Sequence, residues 1–388
     1  MKWKRSLLPL LAIPIAMIVW VYLLVTPRES LIEESAHETN AQRLSSGETL
    51  TVIVQASEEV VAEEAVRRFE LIQTELMICE DASEAQRILA SLRAYLDGIP
   101  REAASRAIID CLDDPSRDAE TLIPFSIGKS GFLDGHPSLR VALLDWLGEI
   151  DPQEAGSIAK EILESSIRED EWTVSLRNYA RAYPGPKNYD FIRAKTEELI
   201  LESIRQENPS IASLQAFDLL VHTRAIESAD LLGTLVMDRT QDGRAHAYAA
   251  YLTLDRLAIL EPVATMERLA GQTGLAKARG PMVANIFARS DLRDPEQRRL
   301  VRSYLLSPTR TAEELDAFAN VYPNANFAIS NNLLTRTQAP IGEELALHDQ
   351  AVLGIVGGWI EDPEFEPVKP YLETMYNRLR IFIDQTSK

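Results

Sequence analysis

The chain has 388 residues and carries 40 Lys+Arg against 59 Asp+Glu, a formal net charge of −19. A hydrophobic content of 46% excludes general disorder, and the acidic balance argues against nucleic acid as a partner, which needs clustered Lys and Arg. With only two cysteines the chain is neither a disulfide-framework mini-fold nor a cysteine-rich zinc module.

The strongest local signal is N-terminal. Leu7 to Thr26 is an uncharged apolar run of twenty residues, long enough as a helix to cover the roughly 30 Å hydrocarbon core. Pro9 and Pro14 do not exclude a membrane helix. Lys2, Lys4 and Arg5 precede the run, and Arg28 with Glu29, Glu33 and Glu34 follows it. The positive-inside rule therefore predicts a single-pass inner-membrane protein, with residues 1–6 in the cytoplasm and the body periplasmic or extracellular. A cleaved signal peptide is the competing reading. The run is long for that, and Val25-Thr26-Pro27-Arg28 is a poor cleavage site.

Setting aside the three basic residues of the first 26 leaves −22 on residues 27–388. Residues 27–56 read as a polar tether. Within it, Thr49 to Val54 is either a short β-type run or the lead-in to the next helix.

From Glu58 onward the apolar period is helical, and sixteen to eighteen helices are expected up to Asp384 with little or no sheet. The clearest unit is Gly135 to Ser166. Leu139, Leu143, Trp146, Leu147 and Ile150 mark one helical stripe. Asp151 caps a second helix, Pro152 takes its first position, and Ala155, Ile158, Ala159, Ile162 and Leu163 form the facing stripe. Two short amphipathic helices need neighbours on both sides, which is the physics of a solenoid.

Pro137, Arg140, Ala142, Leu147, Gly148, Asp151 and Pro152 give this unit its likeness: it resembles a HEAT-type repeat. Ile99 to Pro115 is a weaker copy, and further cap-plus-proline starts fall at Asn208-Pro209, Asp294-Pro295 and Asp362-Pro363. The resemblance implies an all-α, degenerate α-solenoid over residues 57–388, behind the membrane anchor at 7–26. A second echo, L-x-x-aromatic-A-x-x-Y-P, occurs at Leu176–Pro184 and Leu315–Pro323. It reads as a helix whose core face ends at Tyr and is stopped by Pro.

Chemistry is hard to find. The five histidines (37, 136, 222, 246, 348) form no H-E-x-x-H. Glu344 and His348 share a face at i, i+4 and read as a solvated or capping pair, and His136 reads as a turn residue. Ile127 to Ser130 ends in Gly-Lys-Ser but lacks the glycine a phosphate loop needs at Ile123. Ser126-x-x-Lys129 has a penicillin-enzyme spacing without its companion motifs. This stretch reads as a flexible connection. Asn320, Asn324, Asn326, Asn331 and Asn332 suit local caps and turns. Gly354, Gly357 and Gly358 suit close helix packing or a kink. Cys79 and Cys111 lie near the ends of two successive first helices, where export would let them join in a disulfide worth roughly 3–4 kcal/mol.

No catalytic, cofactor or metal residue is singled out, and no cofactor is expected. The expected function is a membrane-anchored scaffold that binds another envelope protein. The alternatives are an exported α/α-toroid enzyme acting on glycans and an accessory subunit of a membrane complex.

Overall fold

The structure, a computed structural model, describes residues 46–386 apart from 167, 207, 239, 241–242, 327–330 and 337–341. The chain divides into a short unit, residues 1–52, and a body, residues 53–388. The apolar run at 7–26 lies outside the described residues. Among those described, no helix is long and apolar enough to cross a membrane.

The protein is all-α among the described residues, with sixteen α-helices and one two-stranded hairpin. Helix α1 (Ser46–Met77) takes in Thr49 to Val54, so that run leads into a helix and is not a strand. After it come α2 (Ala82–Asp97), α3 (Arg101–Leu112), the strands β1 (Ser126–Ile127) and β2 (Leu133–Gly135), α4 (Leu139–Ile150), α5 (Pro152–Ser165) and α6 (Glu169–Ala182). The middle of the body holds α7 (Tyr189–Ser203), α8 (Ile211–His222), α9 (Ala229–Met237), α10 (Arg244–Leu260), α11 (Pro262–Gly271) and α12 (Thr273–Phe287). The last four are α13 (Pro295–Leu305), α14 (Ala312–Val321), α15 (Gly342–Glu361) and α16 (Lys369–Thr386).

Local sequence explains where many of these begin. Asp151 accepts the Glu154 N–H at 3.2 Å with Pro152 in the first turn of α5, and Asp294 caps α13 in the same way ahead of Pro295. Asp362 caps a short 3-10 turn at Pro363–Val368 rather than a long helix. After Asn208-Pro209 the cap is Ser210, which starts α8 two residues later than the proline suggests.

Helix α5 buries the five residues of its expected stripe. Helix α4 does more. Leu139 through Gly148 are all buried, Arg140 and Asp145 included, because α3, α5 and α6 all pack on it. A helix covered on all sides shows no single apolar stripe. Gly148 lets Asn178 of α6 approach, and the Asn178 side chain donates to the Leu144 carbonyl at 2.8 Å.

Buried side chains form two clusters that meet at α7 and α8. Leu199, Ala216 and Leu219 belong to the first; Ile200, Phe217 and Leu220 belong to the second. The second contains a run of aromatic contacts, Phe287–Tyr304–Phe318–Tyr322, with ring centroids 4.3, 5.6 and 5.4 Å apart. The two echoed motifs both end helices at their tyrosines: Tyr183 donates its N–H to Tyr179 and Tyr322 to Phe318. Their turns differ, since the Tyr322–Pro323 bond is cis. In α15 only Gly357 faces α16, against Tyr376 at 3.4 Å from where a Cβ would stand, and Gly354 and Gly358 meet nothing.

Candidate functional site

The site is built from charges that interrupt apolar helices. Asp145 stands in Leu143-Leu144-Asp145-Trp146, Asp218 in Ala216-Phe217-Asp218-Leu219, and Asp255 in Thr253-Leu254-Asp255-Arg256. All three are buried, and each pairs with an arginine further along. The pairs are Asp145–Arg177, Asp218–Arg256 at 2.9 Å, and Asp255–Arg289 through two bonds of 2.8 and 2.7 Å. The separations are 32, 38 and 34 residues, linking α4 to α6, α8 to α10, and α10 to the residue pair that follows α12. Buried ions must be paired and hydrogen-bonded to be tolerated. The pairs therefore fix each helix against a particular later one.

These groups also bind main chain. Asp218 Oδ2 accepts the backbone N–H of Leu334 at 2.8 Å and of Thr335 at 3.0 Å, while the Thr335 hydroxyl lies between Asp218 and Arg256. Arg289 donates to the Asn324 carbonyl at 2.9 Å. Arg181 donates to the carbonyls of Leu333 at 3.3 Å and Ser130 at 2.9 Å. Residues 331–335 have no regular secondary structure, yet Leu333 is fully buried and belongs to the first cluster, more than 100 residues from its neighbours there. Asn331 completes the attachment by donating to the Ile127 carbonyl at 2.9 Å. Asn324 donates to the carbonyls of Ala288 (2.8 Å, through its N–H) and Asn285 (3.1 Å), at the end of α12. Asn331 and Asn324 thus hold distant backbone, whereas Asn320 and Asn326 bond locally as expected.

The stretch around Ser126-x-x-Lys129 is not a loose connection. It is the hairpin β1–β2, with Ser126 opposite Gly135 and Ile127 opposite Leu133. Gly131 closes the turn at φ +80°, a conformation that favours glycine. Beneath the hairpin, Asp145 accepts the Leu133 N–H, His136 Nε2 lies 3.0 Å from Asp145, and the Phe132 ring lies between the guanidinium groups of Arg177 and Arg181 at 4.6 and 4.0 Å. Burial alone would raise the Asp145 carboxyl, but Arg177 and His136 outweigh it and hold the pKa below the usual range. Ser126, Lys129 and Ser130 are exposed, and no hydrogen bond joins Ser126 to Lys129. His136 is therefore part of a buried ion cluster rather than a simple turn residue.

The remaining sequence candidates are distributed elsewhere. His348 bonds Asp349 at 3.0 Å and lies 3.7 Å from Asp291, while Glu344 is exposed. No group of three or more metal-ligating side chains occurs among the described residues. Cys79 and Cys111 are separate free thiols. The Cys79 thiol turns to the Asp81 carbonyl at 3.2 Å, and that of Cys111 is buried, with its pKa pushed up to about 11 by desolvation. A serine–histidine pair unseen in the sequence, Ser203–His246 at 3.1 Å, is fully enclosed. Ser213 gives its hydroxyl proton to the Ser210 carbonyl, and Ser203 gives its own to Ser213. His246 Nε2 must then donate to Ser203, so it is not placed to take the serine proton.

Comparison of the chain with protein-family models, with curated proteins and with solved structures finds no match.

Proposed function

We propose that this protein is a membrane-anchored, exported helical-repeat scaffold that binds another protein of the envelope and has no catalytic activity of its own. In this reading residues 7–26 cross the inner membrane with the N-terminus cytoplasmic. The body is a degenerate, HEAT-like open stack of paired helices on the far side. The Asp–Arg pairs recurring 32–38 residues apart support the repeat, since each ties one helical layer to the next.

The observation that carries the binding function is the handling of residues 331–335. Side chains from α6 and α8 hold the carbonyl of Leu333 and the N–H groups of Leu334 and Thr335, and the Thr335 hydroxyl is the one side-chain polar group of these three residues held with them. Main-chain recognition gives affinity without demanding a particular sequence. A face that receives one irregular segment in cis has the chemistry to receive another in trans. A glycan enzyme would need carboxylates and aromatic platforms around one cavity. Of the two cavities beside the Asp218–Arg256 pair, the larger is lined by one carboxylate, Asp291, and by no Phe, Tyr or Trp, and both carboxylates of the smaller, Asp218 and Asp255, are paired with arginines.

In-cell photocrosslinking from position 248, an exposed tyrosine on α10 beside α8, tests the reading. The expected result is one envelope protein captured reproducibly in near-stoichiometric amount. Capture no greater than from a control carrying the anchor alone would reject it. Replacing Leu7–Thr26 with an unrelated anchor preserves capture if the segment only tethers, and abolishes it if the anchor makes the specific contacts of an accessory subunit.

A further inference from the structure

A cavity of about 700 Å³ lies between α8, α10, α13, α15 and residues 323–325 and 335–336. That volume falls in the range of small-molecule sites, roughly 300–1,000 Å³. Its charged lining is one-sided. Arg224, Arg256, Arg289 and Arg336 face it, against the single carboxylate of Asp291, in a chain whose net charge is −19. The counter-ions of three of these arginines, Glu261, Asp218 and Asp255, stand outside the lining and so pair from behind. Asp291 is already engaged by the Arg293 guanidinium through bonds of 2.9 and 2.7 Å. Arg336 is exposed and has no carboxylate partner among the described residues.

A second observation is independent of charge. Val221, Ile259, Leu260, Pro323 and Leu345 give the wall an apolar stretch, alongside polar side chains such as His222 and His348.

The geometry points to a ligand site for a small carboxylate attached to a compact apolar body. A bare inorganic anion would leave the apolar wall uncovered, and a neutral apolar ligand would leave Arg336 unmatched. One unpaired guanidinium matches one negative charge, and its planar fork suits a carboxylate. The apolar body lies against Ile259, Leu260 and Leu345. A free carboxylic acid and the C-terminus of a polypeptide both present this chemistry. The site stands independently of the partner-binding reading above.

Calorimetric titration of the full chain, purified in an uncharged detergent, tests it with three probes: 4-methylvalerate, N-acetyl-Ala-Leu as the free acid, and N-acetyl-Ala-Leu amide. Saturable binding of at least one acid is expected, with the amide and the Arg336→Gln variant each weaker by about tenfold. Tighter binding of 4-methylvalerate identifies a free small molecule as the source; tighter binding of the peptide acid identifies a chain terminus. Equal binding of acid and amide, indifference to Arg336→Gln, or no saturable binding of either acid would overturn the proposal.

Discussion

Asp218, in the middle of α8, accepts the backbone N–H groups of Leu334 and Thr335 across 116 and 117 residues of sequence. The bonds set the side chain of Leu333, the residue before Leu334, into the first hydrophobic cluster, where it is fully buried. A simple solenoid has contacts only between neighbouring repeats, and this attachment departs from that pattern. Leu333→Ala removes buried apolar volume at the attachment and is expected to cost about 2–5 kcal/mol. Denaturant unfolding checks this. A loss below ~0.5 kcal/mol would mean that Leu333 is not part of the core.

The Asp145–Arg177 pair has both side chains at 2% exposure or less. Asp145→Ala leaves a buried guanidinium without its carboxylate and should cost about 3–5 kcal/mol, whereas replacing both partners by apolar residues should recover much of that loss. The pH dependence has a definite sign. The Asp145 pKa is lower folded than unfolded because Arg177 and His136 outweigh its desolvation. Its stabilisation is complete above the unfolded value of about 4 and is lost as pH falls through the folded value. Melting curves of the Asp145→Asn variant should show a shallower acid limb than wild type. Parallel limbs would contradict the assignment.

His246 and His222 behave in the opposite chemical sense. Burial lowers both pKa values, with Asp238 and Asp218 respectively offsetting part of the shift. The unfolded chain then binds more protons just below the ordinary histidine value of about 6.5. Stability should be full above that pH and decline as pH falls toward the folded values. His246→Gln, which keeps an N–H aimed at Ser203, should remove part of the decline between pH 7 and 5. If the slope in that interval is unchanged, His246 is not neutral and buried.

The two thiols give a chemical test of the packing. Iodoacetamide without reductant should label Cys79 in the native protein and Cys111 only after unfolding, since Cys111 is 1% exposed and its thiol is held protonated by burial. Mass spectrometry reads the outcome. A Cys79–Cys111 cross-link would require α1 and α3 to sit differently from the structure.

What could be read from the sequence was local. The Asp151-Pro152 start of α5 and its stripe were legible because a cap and a period of 3.6 are written within fifteen residues. The degree of burial of α4 was not, because a helix enclosed by α3, α5 and α6 carries no polar face to set a stripe against. The hairpin was hidden by strands of two and three residues, too short to show alternation. The charge pairs were missed although each left a signal: an aspartate inside an apolar helical run cannot be exposed without exposing its neighbours. Its partner, 32 to 38 residues away, is fixed only by the packing of the helices. The docking of residues 331–335 left no local mark beyond an excess of asparagine.

Amide hydrogen exchange of Leu334 and Thr335, compared between wild type and Asp218→Ala, tests most directly whether the helical face holds the main chain of this segment. Both amides should be protected in the wild type and exchange much faster in the variant, while the amides of α4 and α5 keep their protection. Rapid exchange of Leu334 and Thr335 in the wild type would contradict the account.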